Sequence, residues 1–584
     1  MRDYLLRTAV LAGTAAVVLT ELLSPFHLLT RWPLAAAWLV AVALWVRFGT
    51  RAVVAWRFLP LETGIAAIVA VIGGVVALTA ILSPPNSADA MAYHLPRVVY
   101  WAQSGSVAFF PTPYLNQIML QPLAEYLMLH TYVITGGDRL INLIAFAAYA
   151  GSIAGVSAIA AAFGLSTRSQ AWAALFCATL PNAVLQASGA KNDFLLAFWL
   201  VCAVYFAARR DAPILALSAA LALATKGTAY LFLPPVLLYA AATLPRRRLA
   251  WIAAAVCLLN GPQYVRNFEL SGSPLGFDSA QGDGVFRWRN EHLTWKPAVS
   301  NALRHASEQL GARSARWNQS VYQAVVRIHD ALGLDPQDRD TTWPGARYAP
   351  PLNANHEANA NNRWHLLLIA SAAVFALATR SRRWTLYAAA LLAAFLLFCL
   401  YLKWQPFLAR LELPLFVLGA PLAAFLVERL RYPAFAVVLG LFLVNNARPA
   451  LFENWTRPLR GPHSLLATAR DANYFSDMGQ WNNRASYLES VERTARSGCA
   501  EIGLDISENQ LEYPFQALLR QRNPAVRFVH TGVTNASARY AAAGAPPPCA
   551  VLCPDCTGNQ RKAALYGGIG PPIEIGRFLL FVRP

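Results

Sequence analysis

Charge is what this sequence has least of: Asp, Glu, Lys and Arg make up 14% of 584 positions, while 56% are hydrophobic. A soluble globular domain carries roughly a quarter of its residues charged. A chain this poor in charge, with its apolar residues gathered into long blocks, is a polytopic membrane protein. Nucleotide signatures are also missing: there is no GxxxxGKS/T and no GxGxxG, so no Gly-rich loop is on hand to cradle nucleotide phosphates. No internal repeat is found, and GAPPP near Pro546 is the only locally biased tract.

A hydrocarbon core of about 30 Å needs roughly 20 helical residues at about 1.5 Å each, and many blocks approach that length. Backbone groups inside lipid have to be paired internally, so the blocks are helices. Thr8 to Leu23 and Pro33 to Val46 read as two retained spans, because no small-residue cleavage pattern separates them; Gly64 to Leu82 is the third. The formal net charge is +18. Nucleic acid is not the expected partner, since most arginines punctuate short loops at span ends instead of forming one basic face. Orientation explains them better. With Arg2 and Arg7 in the cytoplasm, Arg47, Arg51, Arg57, Arg168, Arg209, Arg210, Arg246 to Arg248, Arg380, Arg382, Arg383, Arg429 and Arg431 fall there too. The count reaches about thirteen spans and leaves the C-terminus outside. Ala212 to Leu244 begins and ends beside cytoplasmic arginines, so it crosses twice or not at all. Two short helices meeting at Lys226-Gly227 are expected, with Pro234-Pro235 breaking any single long helix.

Three segments are too polar for the bilayer and fall outside: about 83–137, about 267–363, and 448 to the end. In the first, the amphipathic stretches Asp89 to Gln103 and Ile118 to Val133 have apolar faces suited to the membrane interface. The second should mix short helices with loops. In the third, EIGLDI, AVRFVH, CAVLC and RFLLFV read as strands and Leu511 to Arg520 as a helix, giving a small α/β domain. The expected division is a two-span hairpin over 1–60, a transmembrane core over 61–447 and an external domain over 448–584. Cys177, Cys202, Cys257 and Cys399 act as apolar fillers in spans. Cys499, Cys549, Cys553 and Cys556 are external, where one or two disulfides are the default and a zinc site is the lesser alternative.

The chemistry is expected at external span ends, because embedded charge is costly. Asp89 follows the third span in SPPNSADAMAYHLPRVVYW, close to Tyr93, His94, Arg97, Tyr100 and Trp101. Lys191 and Asp193 lie in QASGAKND, Lys226 between two very apolar helices, Arg266 in NGPQYVRN, and Lys403 and Arg410 in YLKWQPFLARLELP. All fall on one side. Such a set suits transfer from an anionic lipid donor, in which a carboxylate takes a proton from an attacking hydroxyl while cations neutralise the departing phosphate. Arg would clamp phosphate oxygens bidentately and Lys would act as a point charge. The structural alternatives are a helix cap for Asp89 and Asp193, and interfacial snorkelling for Lys191, Lys403 and Arg410.

These segments, with QPLAEYLMLH, ALATKGTAYLFLPP and WQPFLARLELPLFVLGAP, resemble the family 39 type of the C-superfamily glycosyltransferases, which includes protein O-mannosyltransferases and the aminoarabinose transferases of lipid A. The resemblance covers roughly residues 60 to 430. It implies an integral membrane enzyme of the bacterial inner membrane that takes a sugar from a polyprenyl phosphate and usually inverts the anomeric centre. Asp89 matches the first-loop acid that acts as base, and Asp193 is similar to a second acid in a later loop. Tyr93, His94 and Arg97 accompany the first motif, while Lys226, Arg266 and Arg410 are placed at the donor phosphate by the charge argument. Protein O-mannosyltransferases show a paired acidic motif where this chain has Asp89 alone. That departure weakens a protein acceptor and leaves a divalent metal open. The acceptor, whether glycan, lipid or protein, is not fixed by these residues. A transporter or lipid flippase is the alternative from another class, and it would spread its charges through the bilayer depth. A non-catalytic assembly or export partner using the external domain for binding is a third.

Overall fold

The computed structural model describes residues 1–49, 60–276, 288–430, 433–477, 483–507, 510–542, 544, 546–554 and 556–583. Arg51, Arg57 and Arg431 of the orientation argument, and positions 277–287 of the second external segment, lie outside the described residues.

Helices form where the apolar runs are long. Numbering those of ten residues or more, α1 (Arg2–Leu23), α2 (Arg31–Phe48) and α3 (Pro60–Leu82) match the first three expected spans. The segment 83–137 carries α4 (Leu95–Ser104) and α5 (Leu123–Thr135). Then come α6 (Leu143–Ala162), α7 (Thr167–Ala178), α8 (Asp193–Ala208), α9 (Ala212–Thr225), α10 (Pro234–Thr243) and α11 (Arg246–Ser271). The segment 267–363 holds α12 (Trp295–Gln309) and α13 (Ala315–Leu332). Next are α14 (Arg363–Ala378), α15 (Arg382–Tyr401), α16 (Leu413–Glu428) and α17 (Pro433–Phe452).

Among the described residues, five helices are long and apolar enough to cross a membrane: Arg2–Phe26, Pro60–Leu82, Leu143–Ala162, Arg382–Tyr401 and Ala434–Phe452. Five more are apolar but shorter: Asp193–Ala208, Ala212–Thr225, Pro234–Thr243, Arg363–Ala378 and Leu413–Glu428. Length and composition therefore support five crossings, and any larger number draws on helices that are shorter or less apolar than these. The expected break lies where the sequence places it. α9 stops at Thr225, Lys226 is extended (φ −163°, ψ 141°), and Pro234 opens α10.

α8 is apolar all round because protein surrounds it, chiefly α6, α9 and α16. Small residues on α6 let the backbones close up: a Cβ at Gly151 would strike Phe198, and one at Gly155 would strike Val201. The bundle has two chemically distinct ends. At one, Arg7 of α1 pairs with Asp211 between α8 and α9 at 2.8 Å. There too, Glu428 at the end of α16 accepts from Ser166 Oγ ahead of α7 at 2.6 Å, and Glu62 of α3 accepts from Thr167 Oγ1 at 3.1 Å. Asp193, Lys226 and Arg410 sit at the other ends of α8, α9 and α16.

Strands β1 (Glu501–Leu504), β2 (Arg527–His530), β3 (Ala550–Cys553), β4 (Pro572–Ile575) and β5 (Phe578–Val582) form one sheet in the order β2-β1-β3-β5-β4. β1 runs parallel to β2 and β3, while β5 runs antiparallel to β3 and β4. α18 (Arg484–Arg496) and α19 (Tyr513–Arg522) pack on each other, and α18 also packs on β5. Cys499 is bonded to Cys549 and Cys553 to Cys556.

This sheet unit covers the segment 83–137, which corrects one expectation. The apolar faces of α4 and α5 meet protein, not lipid: they pack on each other, α5 also packs on α1 and α2, and α19 lies against α4. Glu512 is the fastener, accepting from Tyr100 Oη at 2.7 Å and Gln117 Nε2 at 2.8 Å. The Gln103 amide pairs with the backbone of edge strand β2, donating to Phe528 O at 2.6 Å and accepting from Phe528 N at 3.1 Å, which blunts that edge. Asp138, between α5 and α6, accepts from Tyr474 Oη at 2.5 Å and Tyr513 Oη at 3.0 Å and pairs with Arg470 at 3.0 Å. Asp138→Ala should lower stability by about 3 kcal/mol, because it strands partners inside a buried ionic contact. Thermal unfolding in detergent, with proteolysis between α17 and α18 as the local readout, checks this.

Candidate functional site

Asp89 stands just before a single π-helical turn, Ala90–His94, and its carboxylate makes no capping hydrogen bond. It is instead the acceptor for Arg410 Nη1, so the cap alternative gives way to an ion pair. Arg410 ends the short turn Leu408–Arg410 just ahead of α16. Asp193 opens α8, but its carboxylate is likewise turned to a cation: Lys226 Nζ lies 2.6 Å from Asp193 Oδ1 and 3.0 Å from Asn192 Oδ1. Lys191 is buried, with Nζ 2.8 Å from Glu357 Oε1. The other Glu357 oxygen accepts from Arg457, which also donates to Ser188 Oγ (3.1 Å), Leu185 O (2.9 Å) and Asn86 Oδ1 (2.9 Å).

Asn86 and Ala88 fix the approach to Asp89. Asn86 Nδ2 donates to Ser476 Oγ at 2.7 Å, and the Ala88 amide donates to Asp477 Oδ2 at 2.7 Å. Asp477 in turn pairs with His356 at 2.7 Å. Three chain regions far apart in number therefore close on one carboxylate.

The charges act as a group. Burial alone would raise the Asp89 carboxyl, but Arg410 above all, then Lys191, His94 and Lys226, outweigh it and hold it well below the usual carboxylate range. Burial pulls the Lys226 ammonium below its ordinary value; Asp193 opposes this and Arg410 adds to it. Arg410 interacts with Asp89, Asp193 and the Tyr93 hydroxyl together. Tyr93 stacks obliquely on His94, with ring centroids 4.2 Å apart, and meets Tyr114 edge-on at 5.8 Å.

The fold thus gathers Asp89, Asp193, Lys191, Lys226 and Arg410, with Tyr93 and His94 alongside. It places the other predicted residues in separate contacts. Arg97 is fully buried, donates to Leu120 O and Ile118 O at 2.9 Å each, and lies over the Trp101 ring at 4.4 Å. It shapes the first loop, together with the His94–Glu125 contact at 2.8 Å. Arg266 is gripped by both oxygens of Glu21 at 2.9 and 2.7 Å and by Tyr126. Lys403 pairs with Glu291 at 2.7 Å. Glu357, Arg457 and Asn86 were not singled out from the sequence. In a chain with 31 acidic residues, an acid as isolated as Glu357 in NANHEANANN was the one signal available, and nothing in its spacing names its partners.

No family model matches this chain, and no curated protein matches it. Solved structures do. ArnT from Cupriavidus metallidurans in the apo state is 14% identical, covering 89% of this chain and 99% of that one, with a TM-score of 0.50. ArnT from the same organism bound to undecaprenyl phosphate is 14% identical over 90% of this chain and 99% of that one, at 0.47. The apo oligosaccharyltransferase of Archaeoglobus fulgidus is 12% identical over 80% of this chain and 64% of that one, at 0.45. At such identities the likeness to ArnT shows the fold alone: a helical bundle followed by a small C-terminal sheet.

Glu357 offers a test of the clamp. Burial raises its carboxyl, but Arg457, Lys191 and His356 more than reverse this, so the folded group titrates far below its ordinary 4.5. A depressed acid contributes stability that is full above the unfolded value and is lost as the pH falls toward the folded one. Glu357→Gln should therefore cost about 3 kcal/mol at pH 7, leaving two buried cations short of a partner. The gap to wild type should narrow steadily below about pH 4.5. Thermal unfolding of both proteins across pH checks this.

Proposed function

We propose that this protein is an inverting glycosyltransferase that moves a sugar from a polyprenyl-phosphate donor to an envelope acceptor. The observation that carries the reading is the Asp89–Arg410 ion pair, set beside Asp193–Lys226 and Lys191 at one end of an ArnT-like fold. Asp89 takes the proton of an acceptor hydroxyl, whose oxygen attacks the anomeric carbon from the face opposite the phosphate. The bond from that carbon to the phosphate oxygen breaks, and the electron pair leaves with polyprenyl phosphate. Arg410, Lys226 and Lys191 neutralise the leaving group. Asp193 orients Lys226, and Tyr93 and His94 shape the pocket around the sugar. Arg97 supports the first loop, Lys403 steadies the second external segment through Glu291, and Arg266, already held by Glu21, has a supporting part.

The pairing gives the cycle an order. A carboxylate held at depressed pKa by an arginine is a poor base. A donor phosphate competes for Arg410, and as the guanidinium turns to it, Asp89 regains basicity when the leaving group is in place. Donor binding thereby arms the acceptor base.

In the cell we place the protein in the bacterial inner membrane, N-terminus cytoplasmic, with about thirteen crossings that include the short apolar helices. The hairpin 1–60 flanks a catalytic core, 61–447, and the unit 448–584 is periplasmic, where it holds the first loop and helps bind the acceptor. A donor anchored by its own lipid suits a compartment without nucleotide sugars. The grouping of Asp89, Asp193, Lys191, Lys226 and Arg410 at one end of the helices, and not along them, favours this reading over a transporter or flippase, whose path would need charge through the bilayer depth.

Membranes incubated with a panel of radiolabelled polyprenyl-phosphate sugars test class and donor together. Asp89→Asn should cut transfer by about 10²- to 10⁴-fold, the usual range for a general base, while the protein stays folded and inserted; near-normal turnover would remove Asp89 from the mechanism. Arg410→Gln should move the acidic limb of the kcat/KM profile to higher pH, because burial then acts on Asp89 with its strongest counterweight gone.

A further inference from the structure

At the end of α8 and α9 opposite Asp193 and Lys226 lies an open cavity of about 450 Å³, lined by Arg209, Arg210, Asp211, Arg248 and Trp251 among others. The 14 residues of α9 separate it from Lys226 by about 21 Å of helix rise, so it is not part of the site above.

Its charge is unbalanced. Asp211 is already committed, pairing with Arg7 at 2.8 Å and accepting from the Ile214 amide at 3.4 Å to cap α9. Arg209, Arg210 and Arg248 are exposed and have no ion-pair partner among the described residues. The first turns of α9 and α11 both border the cavity and add the positive ends of their peptide dipoles. Loop arginines that merely set orientation need no cavity between them. This cavity joins three free guanidinium groups, whose planar donors match phosphate oxygens.

A second feature indicates what carries the phosphate. Trp251, Leu258 and Val265 of α11 are 57%, 67% and 56% exposed. Spaced seven apart, they lie along one face of the helix, a stripe that starts at the cavity wall and runs away from it. An indole at its head and aliphatic side chains below it match the headgroup-to-chain polarity of a phospholipid.

We propose that this cavity is a binding site for the phosphate headgroup of an anionic membrane lipid, with its acyl chain along the Trp251–Leu258–Val265 face. The site is independent of the glycosyl-transfer reading.

The test uses the full chain in detergent, titrated with phosphatidylglycerol or phosphatidylcholine and followed by native mass spectrometry. Wild type should retain phosphatidylglycerol in preference to phosphatidylcholine. The double variant Arg209→Gln, Arg248→Gln should bind it about 25-fold more weakly, at roughly fivefold per arginine near a headgroup. The single variant Arg248→Gln should show about a fivefold loss by the same rule and serves if the double variant melts early. Inorganic phosphate at millimolar concentration should leave the bound lipid in place. Wild type without headgroup preference, variants that melt normally and bind as wild type does, or displacement of the lipid by phosphate would each overturn the assignment.

Discussion

An ion pair between residues 321 positions apart, Asp89 and Arg410, organises this protein. Two elements have to meet for it to form, the segment after α3 and the turn before α16, and the start of α8 joins them with Asp193, whose charge also acts on Arg410. Each brings an ionisable group into a chain where charge is scarce, and each group is matched with another. The clamp of Glu357, Arg457 and Asn86 then fixes the backbone on both sides of the meeting point. Buried charge left alone is strongly unfavourable, so each of these groups depends on its partner.

The C-terminal sheet belongs to the same constraint. It reaches the chain between α3 and α6 through Glu512, Gln103 and Asp138, and the chain leading to it, through Asn473, Ser476 and Asp477, binds Asn86 and Ala88 directly. A loop that carries the proposed base needs a supporting layer to hold it within a fraction of an ångström, and here that layer is supplied by chain more than 350 residues downstream.

Much of this was legible in the sequence, for local reasons. The break at Lys226 was readable because Gly227 and Pro234-Pro235 act within a few residues. Four of five strands stood out as short apolar runs between polar neighbours, whereas β4, PIEI next to Pro571, lacked that contrast. Scarcity of charge picked out Asp89, Asp193, Lys226 and Arg410, and the resemblance to C-superfamily glycosyltransferases agreed with the fold. Pairing was not legible. Nothing local tells Arg410 from Arg266, yet one meets Asp89 and the other is taken by Glu21 of α1. The apolar faces of α4 and α5 looked ready for lipid, since amphipathicity reports that a face is covered and not by what.

The coupling between Asp89 and Arg410 during transfer is the most direct measurement of the central claim. A double-mutant cycle would compare turnover of a polyprenyl-phosphate sugar by Asp89→Asn, Arg410→Gln and the combined protein. If the base and the arginine form one unit that the donor phosphate rearranges, the combined variant should be scarcely slower than Asp89→Asn alone. Losses that simply multiply would show that the two act independently, and would contradict the account.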